Sequence, residues 1–184
     1  MVAKHGCSHV AIRKKEIERI TDLSYENVKH ITAATLLELI DRNFGGVYSD
    51  SVTVFRSDEK NGYALLSQPY KVSMVAVAAI NSPEVVDGRI SPELVLPPIT
   101  KIRTILRIAY LNGHQHLVLS AFGCGAFRNP PSHMAELFKQ VLQEDEFNHR
   151  FVEIVFAILK RNDKTYEKGN YECFKEVFGE SCTL

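Results

Sequence analysis

The apolar positions change their spacing near residue 46. Before it, Ile12, Ile17, Ile20 and Leu23, with Glu16 among them, mark a modest helical stripe. Leu36, Leu37, Leu39 and Ile40 form a compact apolar run that predicts a second helix, ending before Gly45 and Gly46. Beyond it, strand and helix patterns alternate. Val52 to Phe55 predicts a short strand, and the polar stretch 57–62 predicts a hairpin with Asn61 and Gly62 at its tip. The β-branched run 72–80 predicts a strand buried on both faces, closed by Asn81, Ser82 and Pro83. Residues 85–96 predict a long loop.

A helix follows over 98–110, with Ile99, Ile102, Ile105, Leu106 and Ala109 on one face and Gly113 just past its end. Residues 117–119 predict a second buried strand, which runs into the glycine-rich stretch 123–129. Pro130, Pro131 and Ser132 then open a helix carrying Met134, Leu137, Phe138, Val141 and Leu142. A third strong strand is expected over 151–159, and a closing helix over 166–178. Strands separated by helices of this length predict a layered α/β fold with a largely parallel sheet.

Composition narrows the function classes. The 184 residues suffice for one ordinary domain with a real core, and 45% hydrophobic against 24% charged residues speaks against disorder. Lysine plus arginine equals aspartate plus glutamate, 22 against 22, which argues against a general nucleic-acid or membrane-surface binder. The longest apolar stretch, 74–80, is far too short to cross a bilayer, and the N-terminus has no apolar core like that of a signal peptide. Cys7, Cys124, Cys173 and Cys182 are scattered with no C-x-x-C pair, so neither a zinc site nor a redox motif is indicated. A cytoplasmic or nuclear chain with free thiols is the expectation.

The candidate chemistry lies in the stretch Gly123, Cys124, Gly125, Ala126, Phe127, Arg128 and Asn129. Open α/β sheets bind ligands beyond the carboxyl ends of their strands, and this loop has that position. Two glycines let the backbone turn tightly, and successive amides together with the following helix start can converge on an anion. Phe127 offers an apolar face and Arg128 a charge. On spacing alone a plain strand-to-helix turn stands beside the phosphate-loop reading. Cys124 has no histidine placed to activate it as a nucleophile.

Other groups have plainer readings. His114 and His116 flank Gln115 without an evident third metal ligand, and His5, Cys7 and His9 sit at a terminus. Arg103 and Arg107 share a helix face, solvated by default and anion-binding as the alternative. Tyr48 and Tyr63 are as well suited to hairpin packing as to stacking on a base.

The loop and its surroundings resemble the microbial-type poly(ADP-ribose) glycohydrolases, a branch of the macrodomains. The run 117–129, LVLSAFGCGAFRN, looks like the family's second ligand-binding loop. Tyr48 to Asp50 with Val54 to Arg56 looks like its tyrosine hairpin, 75–81 like its central strand ending in asparagine, and 156–158 with 169–174 like its last strand and helix. The resemblance covers roughly 47–178. It implies a macrodomain-like three-layer α/β/α fold with a mixed, shortened sheet, and ADP-ribose or a similar phosphate-containing nucleotide as ligand. It implies backbone contacts to the diphosphate and distal ribose from Gly123 to Phe127, with Asn81 close to the pocket. No cofactor or metal is implied.

The family's catalytic element, a triple glycine followed by Gln-Glu-Glu, has no counterpart. Gly45 and Gly46 are followed by Val47, Tyr48 and Ser49, and Glu16, Glu18, Glu26 and Glu38 lie on helix-like stretches upstream. The chemistry needs a carboxyl to protonate the leaving oxygen. The expectation is therefore a helical segment over 1–46 in place of the usual catalytic part, and a macrodomain-like core over 47–184 that binds nucleotide without glycohydrolase activity. A glycohydrolase with a rearranged acid and a degenerate module serving assembly are the two alternatives. Because the strands the family carries before its catalytic motif have no counterpart in 1–46, an open sheet edge is expected, covered either by the N-terminal helices of the same chain or by a second copy. A two-fold homodimer with residues 1–46 contributing to the contact is the favoured expectation.

Overall fold

The structure, a computed structural model, describes residues 45–160 and 168–179. The helices expected over 12–23 and 35–40, the terminal His5, Cys7 and His9, and the start of the closing helix lie outside the described residues. What is described falls into two compact units, divided after Ala76.

The first unit is an antiparallel hairpin of β1 (Val47–Arg56) and β2 (Leu65–Ala76). A short 3-10 turn, Glu59–Asn61, joins them. Asp58 starts the turn by accepting from the Asn61 backbone N–H at 3.1 Å and its side-chain amide at 2.6 Å, and Gly62 closes it at φ 61°. The hairpin tip is thus where Asn61 and Gly62 placed it. The strand expected over 72–80 differs from expectation. Only its first part belongs to a strand, the end of β2, and Val72 and Met74 are exposed. An antiparallel ladder turns alternate side chains to opposite faces, so a run of apolar residues need not be buried on both. Tyr48, Val52 and Val54 of β1 are buried.

The second unit begins with the stretch 77–83, followed by a small hairpin, β3 (Val85–Val86) and β4 (Arg89–Ile90). The expected long loop over 85–96 is therefore more ordered than read. Asp87 and Gly88 hold φ 50° and 74°, the signature of a two-residue turn that matches strand twist. A 3-10 turn, Pro92–Leu94, leads into helix α1 (Leu96–Leu111). Its end follows from Gly113 at φ 78°: Gly113 N–H donates to the Tyr110 carbonyl at 2.9 Å and His114 N–H to the Ala109 carbonyl at 3.0 Å.

Strand β5 (His116–Leu119) pairs in parallel with β6 (Glu153–Phe156), on either side of helix α2 (Pro131–Leu142). Helix α3 (Asn170–Phe178) closes the unit. This strand–helix–strand unit is the one parallel pairing among the described residues, so the sheet is three small pieces rather than one largely parallel layer. The buried faces of α1 and α2 meet around Ile102, Leu106, Met134, Phe138 and Val141, all under 2% exposed, and Leu117, Leu119, Ile154 and Phe156 pack against them from the sheet. Phe156 meets Phe138 edge-on at 5.3 Å and stacks on Phe178 at 4.7 Å. The opposite face of the pair is open, with Val118 76% exposed and Val155 43%, so these strands are buried on one face and not on two.

Arg103 and Arg107 hold α1 to the turn after α2. Arg103 donates twice to Glu144, at 2.8 and 2.7 Å, and Arg107 twice to Glu146. Neither is left for a ligand anion, because carboxylates of the same chain occupy both forks. His133 of α2 is buried, and its Nδ1 accepts from the Ile90 N–H at 2.9 Å. Burial, and then the charge of Arg89, hold its pKa below the ordinary value, with Glu136 opposing them. A depressed histidine contributes stability above its unfolded pKa, which is lost as pH falls below about 6.5. The melting temperature should therefore drop between pH 7 and pH 5, and His133→Asn, which keeps an acceptor but does not titrate, should flatten that part of the profile. Equal slopes for the two proteins in calorimetric melts would exclude His133 as the cause.

Candidate ligand-binding site

The loop leaves the end of β5 through Ser120, Ala121 and Phe122 and turns at Gly123, at φ 75°. Glycine is required there for two reasons. A side chain seldom adopts that conformation, and a Cβ would lie 2.7 Å from the Asn129 amide nitrogen and 2.9 Å from the Ala79 Cβ. Cys124 points inward and is 2% exposed, and its N–H donates to the Ala121 carbonyl at 3.0 Å. Burial, with a smaller contribution from Cys173, pushes its thiol up to about 12, so it is no nucleophile at neutral pH.

Gly125, Ala126, Phe127 and Arg128 are exposed. Nothing lies within 4 Å of where a Gly125 Cβ would be. The loop closes when Arg128, at φ 53°, donates its N–H to the Gly125 carbonyl at 2.9 Å and Asn129 N–H donates to the Gly123 carbonyl at 3.0 Å. Among the described residues, the backbone N–H groups of Gly125, Ala126 and Phe127 meet no protein acceptor. Three consecutive amides thus remain available on the exposed side of a glycine turn.

Asn129 lies on the other side. It is 1% exposed, and its side-chain amide donates to the carbonyls of Ile80 at 2.7 Å, Gly123 at 3.0 Å and Phe127 at 3.2 Å. Ser82 N–H donates to the Phe127 carbonyl at 2.8 Å. Asn81 is held between these two attachments and is exposed, its Oδ1 accepting from the Ser82 hydroxyl at 3.2 Å. The sequence-predicted residues are therefore brought together, Asn81 beside the loop 123–129. Ile80 and Ser82, which join the two pieces through their backbones, stand in the sequence only as a strand end and its terminator. Their part could not be found from side-chain type.

Tyr48 and Tyr63 belong to the first unit, where Tyr48 is buried and pairs with Val75. No group of three histidine, cysteine or acidic side chains converges as a metal site among the described residues. None of the described helices is long and apolar enough to cross a membrane.

Comparison with known proteins places this fold in a class. The chain is similar to the poly(ADP-ribose) glycohydrolase of Thermomonospora curvata, at 33% identity over 72% of this chain and 47% of that one, with a TM-score of 0.61. The same enzyme bound to the inhibitor ADP-HPD gives 31% identity, 79% and 54% coverage and a TM-score of 0.63. The poly(ADP-ribose) glycohydrolase of Deinococcus radiodurans in complex with ADP-ribose gives 26% identity, 86% and 61% coverage and a TM-score of 0.61. No protein-family model and no curated protein sequence matches. The fold is that of a macrodomain-like α/β protein, and its structural neighbours are microbial poly(ADP-ribose) glycohydrolases over most of this chain. The chain spans about half the length of the Thermomonospora curvata enzymes it matches.

The two glycines of the loop should respond oppositely to alanine. Gly123→Ala meets both a positive φ and two close neighbours and should lose at least about 2 kcal/mol of stability. Gly125→Ala enters open space and should stay within about 0.5 kcal/mol. Urea unfolding of the two variants checks this, and equal losses would refute the loop geometry.

Proposed function

We propose that this chain binds ADP-ribose or a closely related nucleoside diphosphate at the loop 123–129, with Asn81 at its margin. The observation that carries the reading is the set of three amides, Gly125, Ala126 and Phe127, that meet no protein acceptor among the described residues, in an exposed stretch of a loop closed from within. Such a set suits a diphosphate, whose oxygens accept several N–H bonds at once. Phe127, 41% exposed, offers an apolar surface next to it for a ribose. Support comes also from the Deinococcus radiodurans neighbour, which is in complex with ADP-ribose.

Binding occurs without glycohydrolase activity in this reading. Its support is the sequence, which has neither the triple glycine nor the Gln-Glu-Glu that the family resemblance calls for. Titration calorimetry with ADP-ribose, run beside a labelled-polymer turnover assay, tests both parts. The wild-type chain should bind and not turn over polymer. Gly125→Val should fold normally, because its Cβ meets nothing, and should bind at least tenfold more weakly, or about 1.4 kcal/mol. Unchanged affinity in that variant removes the loop from the site. Turnover well above buffer, abolished by one Glu→Gln change, restores the enzyme reading.

The same reading includes a two-fold homodimer. It is favoured by the exposed Val118 and Val155 on the open face of β5 and β6, which a second copy would remove from water. Val118→Ser should then lower the mass measured by light scattering. A wild-type mass near the 20.8 kDa of one chain at high concentration overturns it.

A further inference from the structure

We infer that Asn129 is a positioning residue, which sets the place of Asn81 against the free amides of the loop without itself touching the ligand. The inference rests on the binding reading above for its consequence and on hydrogen bonding for its mechanism. The Asn129 amide has two protons and faces three carbonyls, Ile80 at 2.7 Å, Gly123 at 3.0 Å and Phe127 at 3.2 Å. The first lies immediately before Asn81. The Phe127 carbonyl also receives the N–H of Ser82, immediately after Asn81. Asn81 is therefore fixed on both sides to one loop, before it by the Asn129 amide and after it by a backbone bond to a carbonyl that the same amide meets.

The space for that side chain exists because Gly123 has no Cβ; one placed there would lie 2.7 Å from the Asn129 nitrogen. Asn129 is 1% exposed, so the amide is closed off from solvent. Two non-glycine residues in the left-handed region, Ser82 at φ 47° and Arg128 at φ 53°, flank the joint. Such conformations are kept only where surrounding bonds dictate them; here Ser82 is tied to the Phe127 carbonyl and Arg128 to the Gly125 carbonyl. A donor is required at this position. Aspartate has the same shape but would set a carboxylate against three carbonyl oxygens.

Amide exchange and calorimetry together decide the matter. In the wild-type chain the Asn129 side-chain protons should exchange at least tenfold more slowly than those of an exposed amide such as Gln115. Asn129→Ala and Asn129→Asp should each speed Ser82 N–H exchange at least tenfold while Leu106 and Val141 stay protected. Each should also weaken ADP-ribose binding at least tenfold. Ser82 as protected in Asn129→Ala as in the wild type overturns the inference, as does affinity within twofold of wild type. A loss of protection that spreads equally to Leu106 and Val141 makes Asn129 a general stability residue and also overturns it. Where neither variant folds, fast exchange of the wild-type Asn129 protons refutes the joint and slow exchange supports it. A wild-type chain that does not bind ADP-ribose sinks the nucleotide reading, while Asn129 and Ser82 exchange still decide the joint.

Discussion

The loop 123–129 depends on how partly buried carbonyls find donors. Where the loop turns back on the stretch 77–82, the oxygens of Ile80, Gly123 and Phe127 converge beneath it. Those of Gly123 and Phe127 also receive backbone N–H groups, so Ile80 is the one that the Asn129 amide alone serves among the described residues, and leaving it unpaired costs on the order of 1–3 kcal/mol. A single side-chain amide meets all three. That solution requires Asn129 to be buried and Gly123 to be a glycine, so two residues six apart in sequence are parts of one device. Its result is a division of the loop's polar groups. The carbonyls of Gly123, Gly125 and Phe127 are satisfied from within, and the amides of Gly125, Ala126 and Phe127 meet no acceptor among the described residues.

The device is held in place by ordinary packing. Cys124 turns into the core, between the two ends of the loop, and joins the cluster formed by α1, α2 and β6. The loop starts from β5, whose register is set by its parallel pairing with β6, and it ends at Pro130, where α2 begins. Helix α2 is in turn fixed by Phe138 against Phe156 and by His133 against the backbone of β4. Each support is short in sequence or buried, which leaves the exposed amides little freedom to drift from one another.

The sequence disclosed this region unevenly, for physical reasons. The face of α1 was legible because Ile99, Ile102, Ile105, Leu106 and Ala109 repeat at helical spacing, and all five are buried. The turn from β5 into α2 was legible because glycines followed by prolines mark a tight turn and a helix start. The hairpin of β3 and β4 was missed although Asp87 and Gly88 are a recognised turn pair, because two-residue strands give no period to detect. The apolar runs around Met74, Val118 and Val155 predict strands buried on both faces, and one face of each is exposed. Runs of β-branched residues record strand preference, and preference does not say what covers each side. The inward position of Asn129 was equally hidden, since an asparagine facing a ligand and one facing three carbonyls are the same letter.

The chemistry left on the loop bears on what it can do. Cys124 keeps its proton well past neutrality, Asn129 has its amide committed, and Arg128 brings a guanidinium that only donates. Backbone amides do not titrate at all. Nothing between Gly123 and Asn129 can therefore deliver or accept a proton during bond cleavage, although several groups can hold a phosphate or a ribose. Binding and cleavage are physically separable in such an arrangement, because the first needs fixed donors and the second needs a carboxyl of suitable pKa near the leaving oxygen. In the proposed reading the first requirement is met within seven consecutive residues, 123–129. Any acid would have to be brought to it by another segment, and its arrival would not need to disturb the bonds through which Asn129 keeps Asn81 and the amides in register.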